Sequence, residues 1–211
     1  MQGQGEAWHR EVITNAVAET LRDLQGNSVL GSFYLGGGTG LALYLGHRRS
    51  RDLDFFSREE FDEDRLLQKV QQRAGFSLIA KDAQTLHVHI GGIKVSFLGY
   101  SYPVLFPPVP FIGVAVADPH DIACMKVSAI AARGTKRDFV DLYAASERYG
   151  LPEILEMFAQ KYAEANYSRV HVLKSLTYFD DAEADPMPDM VSPLSWEVVK
   201  RFFVKQAPLL L

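Results

Sequence analysis

The chain has 211 residues, of which 47% are hydrophobic and 23% charged, and its formal net charge is −4. This composition is ordinary for a globular protein, and the length suits one domain with an appendage or two small domains. The mildly acidic balance means that any contact with nucleic acid must come from a local basic patch. Cys124 is the only cysteine, which excludes an internal disulfide and a cysteine-built zinc site. No apolar run approaches the roughly 20 residues that span a bilayer, so we expect no membrane association and a cytoplasmic location.

The first 112 residues have the pattern of a small α/β domain whose sheet is only partly parallel. The predicted elements are, in chain order, a helix over 6–25 closed by Gly26, a strand over 28–35, a glycine turn, a short helix over 40–47 with Thr39 as its N-cap, a strand over 52–56, a helix over 61–74, and strands over 85–90 and 93–100. The last two strands flank Gly91-Gly92, which is typical of a tight β-hairpin.

The second half of the sequence is predicted to be helical. The proline-rich stretch PVLFPPVPF (103–111) marks the expected boundary, and residues 113–211 are the predicted helical domain. Asp118-Pro119 is an N-cap followed by proline at the first helical position, so a helix should run from there to about Arg133. Further helices are predicted over 135–150, 151–162, 168–179 and 196–204. The expected fold class is therefore α/β (α+β), with a small mixed-sheet domain followed by a helical domain.

A glycine run followed by paired aspartates is the most informative local feature, in the stretch FYLGGGTGLALYLGHRRSRDLDFFS (33–57). A dinucleotide-binding fold would need glycine where Leu41 stands, and no Gly-Lys-Ser/Thr of a Walker loop is present. Two interpretations stay open. The aspartates are solvated acids at an exposed strand end, or they hold a cation.

The geometry of a strand makes the second interpretation specific. Asp52 and Asp54 are two residues apart, so both side chains point to the same face, about 6.6 Å apart along the strand. Two hard oxygen ligands with open positions suit Mg²⁺, which keeps waters and binds substrate phosphates. The preceding glycine turn frees backbone N–H groups at a helix N-terminus, where phosphate binds readily. Together the two features predict nucleotide chemistry.

Two ordered segments also resemble a known family. GGTGLAL (37–43), with HR (47–48) and SRDLDFF (50–56), resembles the first motif of AbiEii/AbiGii-type nucleotidyltransferase-like toxins, a group within the DNA polymerase β-type nucleotidyltransferase superfamily. KVSAIAARGTKRDFVDL (126–142) resembles the later motif of the same family. The likeness covers most of residues 30–150.

The resemblance implies a set of site residues. Asp52 and Asp54 would hold Mg²⁺ or Mn²⁺ and, with Lys126 and Asp138, form the catalytic set. The implied nucleotide-binding residues are Gly37, Gly38, Thr39, Arg48, Lys126 and Asp141. Asp138 and Asp141 would orient Lys126 or its neighbours from the following helix. The competing interpretation of these two acids is a helix first turn that complements the helix dipole.

The function that this resemblance implies is Mg²⁺-dependent transfer of a nucleotidyl group from an NTP to an acceptor hydroxyl, on RNA, by the toxin of a toxin–antitoxin system with an antitoxin protein as partner. One departure is visible. The superfamily usually carries a third carboxylate on a later strand, but Lys94 and Ser96 occupy the candidate face of IKVSFLGY (93–100). His87 and His89, on one face of the neighbouring strand, are candidates to replace it, or to be an ordinary polar strand face. The alternative function is therefore a catalytically degenerate member that binds nucleotide or protein without transfer.

Overall fold

A computed structural model describes residues 8–25 and 29–210, which divide into two units. The first unit comprises the described residues up to Ser101 together with Pro108–Val116, and the second comprises Tyr102–Pro107 and the described chain from Ala117 onward. In this division Tyr102–Pro107 groups with the helices, and the chain then returns to the sheet at Pro108–Val116. Glu6, Gly26 and Ser28, where predicted elements begin or end, lie outside the described residues.

The first unit is built on a mixed sheet. Its strands are β1 (Tyr34–Leu35), β2 (Leu53–Ser57), β3 (Ser77–Asp82), β4 (Thr85–Ile90), β5 (Ile93–Gly99), β6 (Val109–Phe111) and β7 (Val114–Val116). Their spatial order is β3-β4-β5-β2-β1-β7-β6. The β2–β5 and β1–β7 pairs are parallel, whereas the other neighbours are antiparallel. The predicted mixed sheet is confirmed, and the β4–β5 hairpin turns at Gly91 and Gly92, both with positive φ.

The first and third helices of this unit begin later than the sequence suggests, and the second begins earlier. They are α1 (Asn15–Gln25), α2 (Gly37–Leu45) and α3 (Glu63–Val70). The single helix predicted from residue 6 is wrong within the described part, because Ile13 is extended and the Thr14 hydroxyl accepts from the Val17 amide, which starts α1 afresh. The Arg10–Val12 segment before this break forms only a 3-10 turn.

One face of the sheet forms the core and the other carries Asp54 of β2. Leu53 and Phe55 are fully buried on the core face, together with hydrophobic residues of β4 and β5 and the apolar sides of α1 and α3. Asp54 and Phe56 alternate with them and are half-buried on the opposite face. The alternation of β2 therefore directs the Asp54 carboxylate away from the core.

The second unit is helical, as predicted. Its helices are α4 (Pro119–Arg133), α5 (Lys136–Tyr149), α6 (Leu151–Lys161), α7 (Arg169–Ser175), α8 (Asp180–Glu183) and α9 (Trp196–Gln206). Asp118 caps α4 through the His120 amide, and Thr135 caps α5 in a reciprocal capping box with Asp138. Within the described ranges, no helix is both long enough and apolar enough to cross a membrane.

Candidate active site

The glycine turn joins the N-terminus of α2 to strand β2. The Gly36 amide donates to the Asp54 carbonyl at 2.9 Å, and the Gly36 carbonyl accepts from the Gly40 amide at 3.0 Å. Gly36 is therefore the N-cap of α2. The first amides of this helix have no carbonyl one turn earlier to bind, so they are available to an anion beside β2.

Gly37 is required for two separate reasons. Its φ is +58°, a left-handed conformation that side chains rarely adopt. A β-carbon at this position would also stand 2.6 Å from Oδ2 of Asp54. Only glycine therefore allows the helix N-terminus to approach the Asp54 carboxylate this closely.

Thr39 is not the N-cap that the sequence suggests. It is the third residue of α2, and its buried hydroxyl contacts the Ser50 hydroxyl at 2.7 Å and donates to the Asp52 carbonyl. The helix begins two residues earlier, at Gly37, after the N-cap Gly36. The Thr39 side chain therefore links α2 by hydrogen bonds to the segment that precedes β2.

Arg48 is buried, although the sequence placed it among the nucleotide-binding residues. The residue is 4% exposed, and its guanidinium donates to the Arg49 carbonyl at 3.1 Å and lies 3.4 Å from the Ser50 hydroxyl. Arg48 thus orders the segment between α2 and β2, and together with Thr39 it fixes where Asp52 enters the strand.

The Asp54 carboxylate has no hydrogen-bond or ion-pair partner among the described residues. Asp52 immediately precedes β2 and is half-buried, two residues from Asp54. In the described part of the chain, no group of three or more His, Cys, Asp and Glu side chains could hold a metal ion by itself. The two carboxylates fit Mg²⁺ in particular, because this ion commonly uses one or two protein carboxylates and completes its shell with water and substrate phosphates.

The second unit brings together Lys126, Asp138 and Asp141. The Lys126 ammonium lies 2.8 Å from Oδ1 of Asp138 and 2.8 Å from Oδ2 of Asp141, and the side chain of Asp141 is fully buried. Asp138 lies in the first turn of α5 and also accepts from the Thr135 amide and hydroxyl. Asp141 lies beyond the first turn, so its interpretation as an acid that complements the helix dipole is wrong.

This cluster fixes the charge of its members. Burial lowers the pKa of Lys126, but the carboxylates of Asp141 and Asp138 outweigh it, so the pKa is raised above its ordinary value. Burial likewise raises the pKa of Asp138, but the Lys126 charge and hydrogen bonds from Lys126 and Thr135 outweigh it, so this pKa is lowered. Lys126 is therefore an ammonium held in a fixed position, with two of its three N–H groups directed at carboxylates.

A second buried ion pair in this unit was not predicted. The Asp121 carboxylate lies 2.7 Å from the Lys161 ammonium and accepts from the Leu105 and Phe106 amides. Lys161 also donates to the Pro103 carbonyl. The pair holds the segment Tyr102–Pro107 against α4 and α6. Its members are 40 residues apart in the chain, so no local sequence pattern could have indicated it.

Comparison with known proteins places the chain in a family. Residues 21–209 match the family model described as nucleotidyl transferase AbiEii toxin, type IV toxin–antitoxin system. The protein aq_aa25 of Aquifex aeolicus is 36% identical over 194 residues, which cover 89% of this chain and 92% of that protein.

Two solved structures share the fold at low identity. The nucleotidyltransferase toxin MenT4 of Mycobacterium tuberculosis is similar with a TM-score of 0.56 and 16% identity, over 93% of this chain and 85% of that one. JHP933 of Helicobacter pylori is similar with a TM-score of 0.54 and 19% identity, over 92% and 90% of the two chains. On the family match, which spans nearly its whole length, the chain belongs to the AbiEii nucleotidyltransferase toxin family.

Proposed function

We propose that this protein transfers a nucleotidyl group from an NTP to an acceptor hydroxyl in a Mg²⁺-dependent reaction. The observation that carries the proposal is the Asp54 carboxylate, which has no partner among the described residues and faces the glycine turn at Gly37. A carboxylate without a counter-charge beside a helix N-terminus suits a cation and a phosphate that arrive together.

The residues of the first unit have distinct roles in this proposal. Asp52 and Asp54 hold the cation, and the backbone amides of Gly37, Gly38 and Thr39 bind the triphosphate. Thr39 acts through its amide because its hydroxyl is engaged with Asp52 and Ser50. Mg²⁺ held there would neutralise phosphate charge and make the α-phosphate more electrophilic. Mn²⁺ suits the same oxygen ligands.

We assign Lys126 to a phosphate contact, with Asp138 and Asp141 as its positioning residues. The support is its N–H group that is not directed at either carboxylate, together with a raised pKa that keeps the amine charged. Arg48 acts through the order that it gives to the segment before Asp52.

The acceptor that we propose is RNA, and the partner is an antitoxin protein, as membership of a toxin–antitoxin family suggests. Transfer takes place in the cytoplasm, where NTPs and RNA are both available. The net charge of −4 means that the RNA must contact local basic residues. The exposed Arg49 and Arg51, next to Asp52, provide such a patch.

Incorporation of a radioactive nucleotide into RNA tests the proposal. The purified protein is incubated with total RNA, MgCl₂ and each of the four α-³²P-labelled NTPs. We expect label in RNA with at least one NTP and none in EDTA or with Asp54→Asn. Absence of label under all conditions, with Mn²⁺ as well as Mg²⁺, would contradict transfer to RNA.

The second candidate function is nucleotide binding without transfer. The observation that favours it is the register of the sheet, in which the residue beside Asp54 on β5 is Ser96 and not a carboxylate. Under this alternative, Mg²⁺ with an NTP still raises the melting temperature, because a ligand that binds only the folded state stabilises it. In the labelling experiment, however, this alternative predicts no incorporation of label into RNA.

A further inference from the structure

The second unit has a pocket of its own, and no residue of its lining has a role in the proposed function. Residues of α6, of α7 and of the loop between them line it, and its volume is about 200 Å³. The lining residues that form its floor are buried: Leu155, Phe158, Tyr162, Val172 and Leu173. The lining residues that mark its mouth are exposed: Ala159, Ala163 and Arg169. The pocket is therefore both apolar inside and accessible from solvent.

Three aromatic rings that line the pocket hold one another in place. The ring centroids of Phe158 and Tyr162 are 4.6 Å apart, those of Phe158 and Tyr167 are 5.3 Å apart, and those of the two tyrosines are 5.5 Å apart. Aromatic rings prefer such tilted and edge-to-face contacts. The Tyr167 hydroxyl also contacts the Ser128 hydroxyl at 2.8 Å, which fixes the orientation of that ring. The aromatic wall is thus preformed, as the walls of small-molecule sites usually are.

Arg169 is the one charged residue among the described residues that line the pocket. One of its Nη atoms donates to the Leu210 carbonyl at 2.9 Å, which tethers the guanidinium. A guanidinium carries five N–H groups in one plane, so this bond leaves further donors for a second acceptor. The planar group matches a carboxylate, which it can bind through two parallel hydrogen bonds. The charge at this pocket therefore favours an anionic ligand over a neutral one.

The volume limits the size of that ligand. An apolar cavity of about 150 Å³ holds benzene, so a pocket of about 200 Å³ suits one ring with a short substituent. We propose that this pocket binds a small organic acid that consists of one aromatic ring and a carboxylate. The ring packs against Phe158, Tyr162 and Tyr167, and the carboxylate pairs with Arg169. This ligand is bound by the second unit without Mg²⁺ or NTP, so the proposal does not depend on the proposed function.

Binding of small acids to the full chain tests the proposal. Titrations are followed by the methyl NMR signals of Leu155, Val172 and Leu173, which report on the floor of the pocket. The ligands are benzoate, phenylacetate and 3-phenylpropionate, together with benzyl alcohol and hexanoate, which keep only the ring or only the carboxylate. We expect an aromatic acid to bind with a Kd in the low millimolar range or tighter, as suits a ligand of about ten non-hydrogen atoms. Benzyl alcohol and hexanoate should bind at least about tenfold more weakly.

Two matched pairs of variants locate the bound acid. Arg169→Gln removes the guanidinium, and Lys174→Gln makes a similar change at an exposed position of α7 that does not line the pocket. Ala159→Phe places a ring in the mouth, and Gln160→Phe adds the same ring at the next exposed position, outside the lining. We expect Arg169→Gln to weaken binding about tenfold and Ala159→Phe to abolish it. The two controls should bind like wild type. All four positions are exposed, so the variants should fold.

The proposal is overturned if no aromatic acid binds in the low millimolar range, or if benzyl alcohol or hexanoate binds as tightly as the best aromatic acid. It is also overturned if Arg169→Gln and Ala159→Phe bind like wild type. Sedimentation equilibrium examines a different occupant, a second copy of this chain. If wild type dimerises at micromolar concentration and Ala159→Phe stays monomeric, the pocket is an interface between copies and the proposal is wrong.

Discussion

The backbone of Gly37 lies against the carboxylate of Asp54, so closely that a β-carbon on Gly37 would stand 2.6 Å from Oδ2. The same residue has a φ of +58°. A substitution at this position therefore has two effects that can be separated. One is backbone strain, which arises when any glycine with a positive φ is replaced. The other is displacement of the Asp54 side chain, on which the proposed cation site depends.

Gly37→Ala should destabilise the protein and also abolish the rise in melting temperature that Mg²⁺ with an NTP produces. The left-handed conformation costs a residue with a side chain about 1–2 kcal/mol. Gly92→Ala is the matched control, because Gly92 has a φ of +79° and nothing within 4 Å of the position of a β-carbon. We expect similar destabilisation in both variants but loss of the ligand-induced shift only in Gly37→Ala. Equal ligand-induced shifts in the two variants would contradict the role of this contact.

Asp54→Asn should leave the stability of the ligand-free protein unchanged or raise it. The Asp54 carboxylate has no described protein partner to lose, and removal of its charge relieves repulsion from Asp52. A surface-like change of this kind should stay within about 0.5 kcal/mol. The Mg²⁺-NTP shift in melting temperature should disappear. Thermal melts with and without ligand give both quantities, and a destabilised variant that keeps its shift would rule out the cation site.

Lys126 and Asp141 should be strongly coupled in stability. Removal of one partner of a buried ion pair typically costs about 3–5 kcal/mol, because the remaining charge is left uncompensated. Lys126→Met alone leaves the fully buried Asp141 in that condition. The double variant with Asp141→Leu should recover much of the loss, since no buried charge is left at position 141. Urea unfolding of the four proteins in this cycle measures the coupling, and additive losses would show that the pair is not coupled.

The Asp138 carboxylate should make stability depend on pH in the acid range. Its pKa in the folded protein is lowered, so its contribution is complete above the unfolded-state pKa of about 4 and is lost as pH falls through the folded-state pKa. Asp138→Asn should therefore be less stable than wild type at pH 7, by about 1–3 kcal/mol for the lost interactions, and the difference should narrow by pH 3. The raised pKa of Lys126 means that its charge adds no loss between pH 7 and 10. A difference that is constant from pH 7 to pH 3 would contradict this account.

The sequence predicted those elements whose turn or cap residues lie within or next to them in the chain. Gly91-Gly92 predicts the β4–β5 hairpin, and Asp118-Pro119 predicts the start of α4, because turn and cap chemistry lies within a few residues of the chain. Asp52 and Asp54 could be selected as a candidate pair from their spacing, but only Asp54 lies within β2, so their common face stays a prediction.

The elements that the sequence did not predict depend on distant partners. All six residues of β3 are exposed, so the strand has no apolar alternation to detect. The three-residue strands β6 and β7 exist through a hairpin and through the pairing of Val116 with Leu35, which is remote in the chain. The pairing of Asp54 with Ser96, and of Ser96 with His87, likewise depends on the register of three strands, and no sequence spacing specifies it.

Asp121 holds the segment Tyr102–Pro107 in place, and its removal should release that segment selectively. Its carboxylate accepts from two consecutive backbone amides, those of Leu105 and Phe106, and pairs with the buried Lys161. Asp121→Ala leaves the ammonium without its carboxylate and the two amides without an acceptor, so the unfolding free energy should fall by about 3–5 kcal/mol.

Amide hydrogen exchange identifies which part of the chain is destabilised in Asp121→Ala. In wild type the Leu105 and Phe106 amides should exchange slowly, although Phe106 is 38% exposed, because both amides donate to the Asp121 carboxylate. In Asp121→Ala they should exchange faster by a larger factor than amides in the middle of α5. Glu156→Ala, which removes an exposed acid from α6, is the control and should change neither stability nor exchange. If the two amides exchange as fast in wild type as in Asp121→Ala, the carboxylate does not hold the segment.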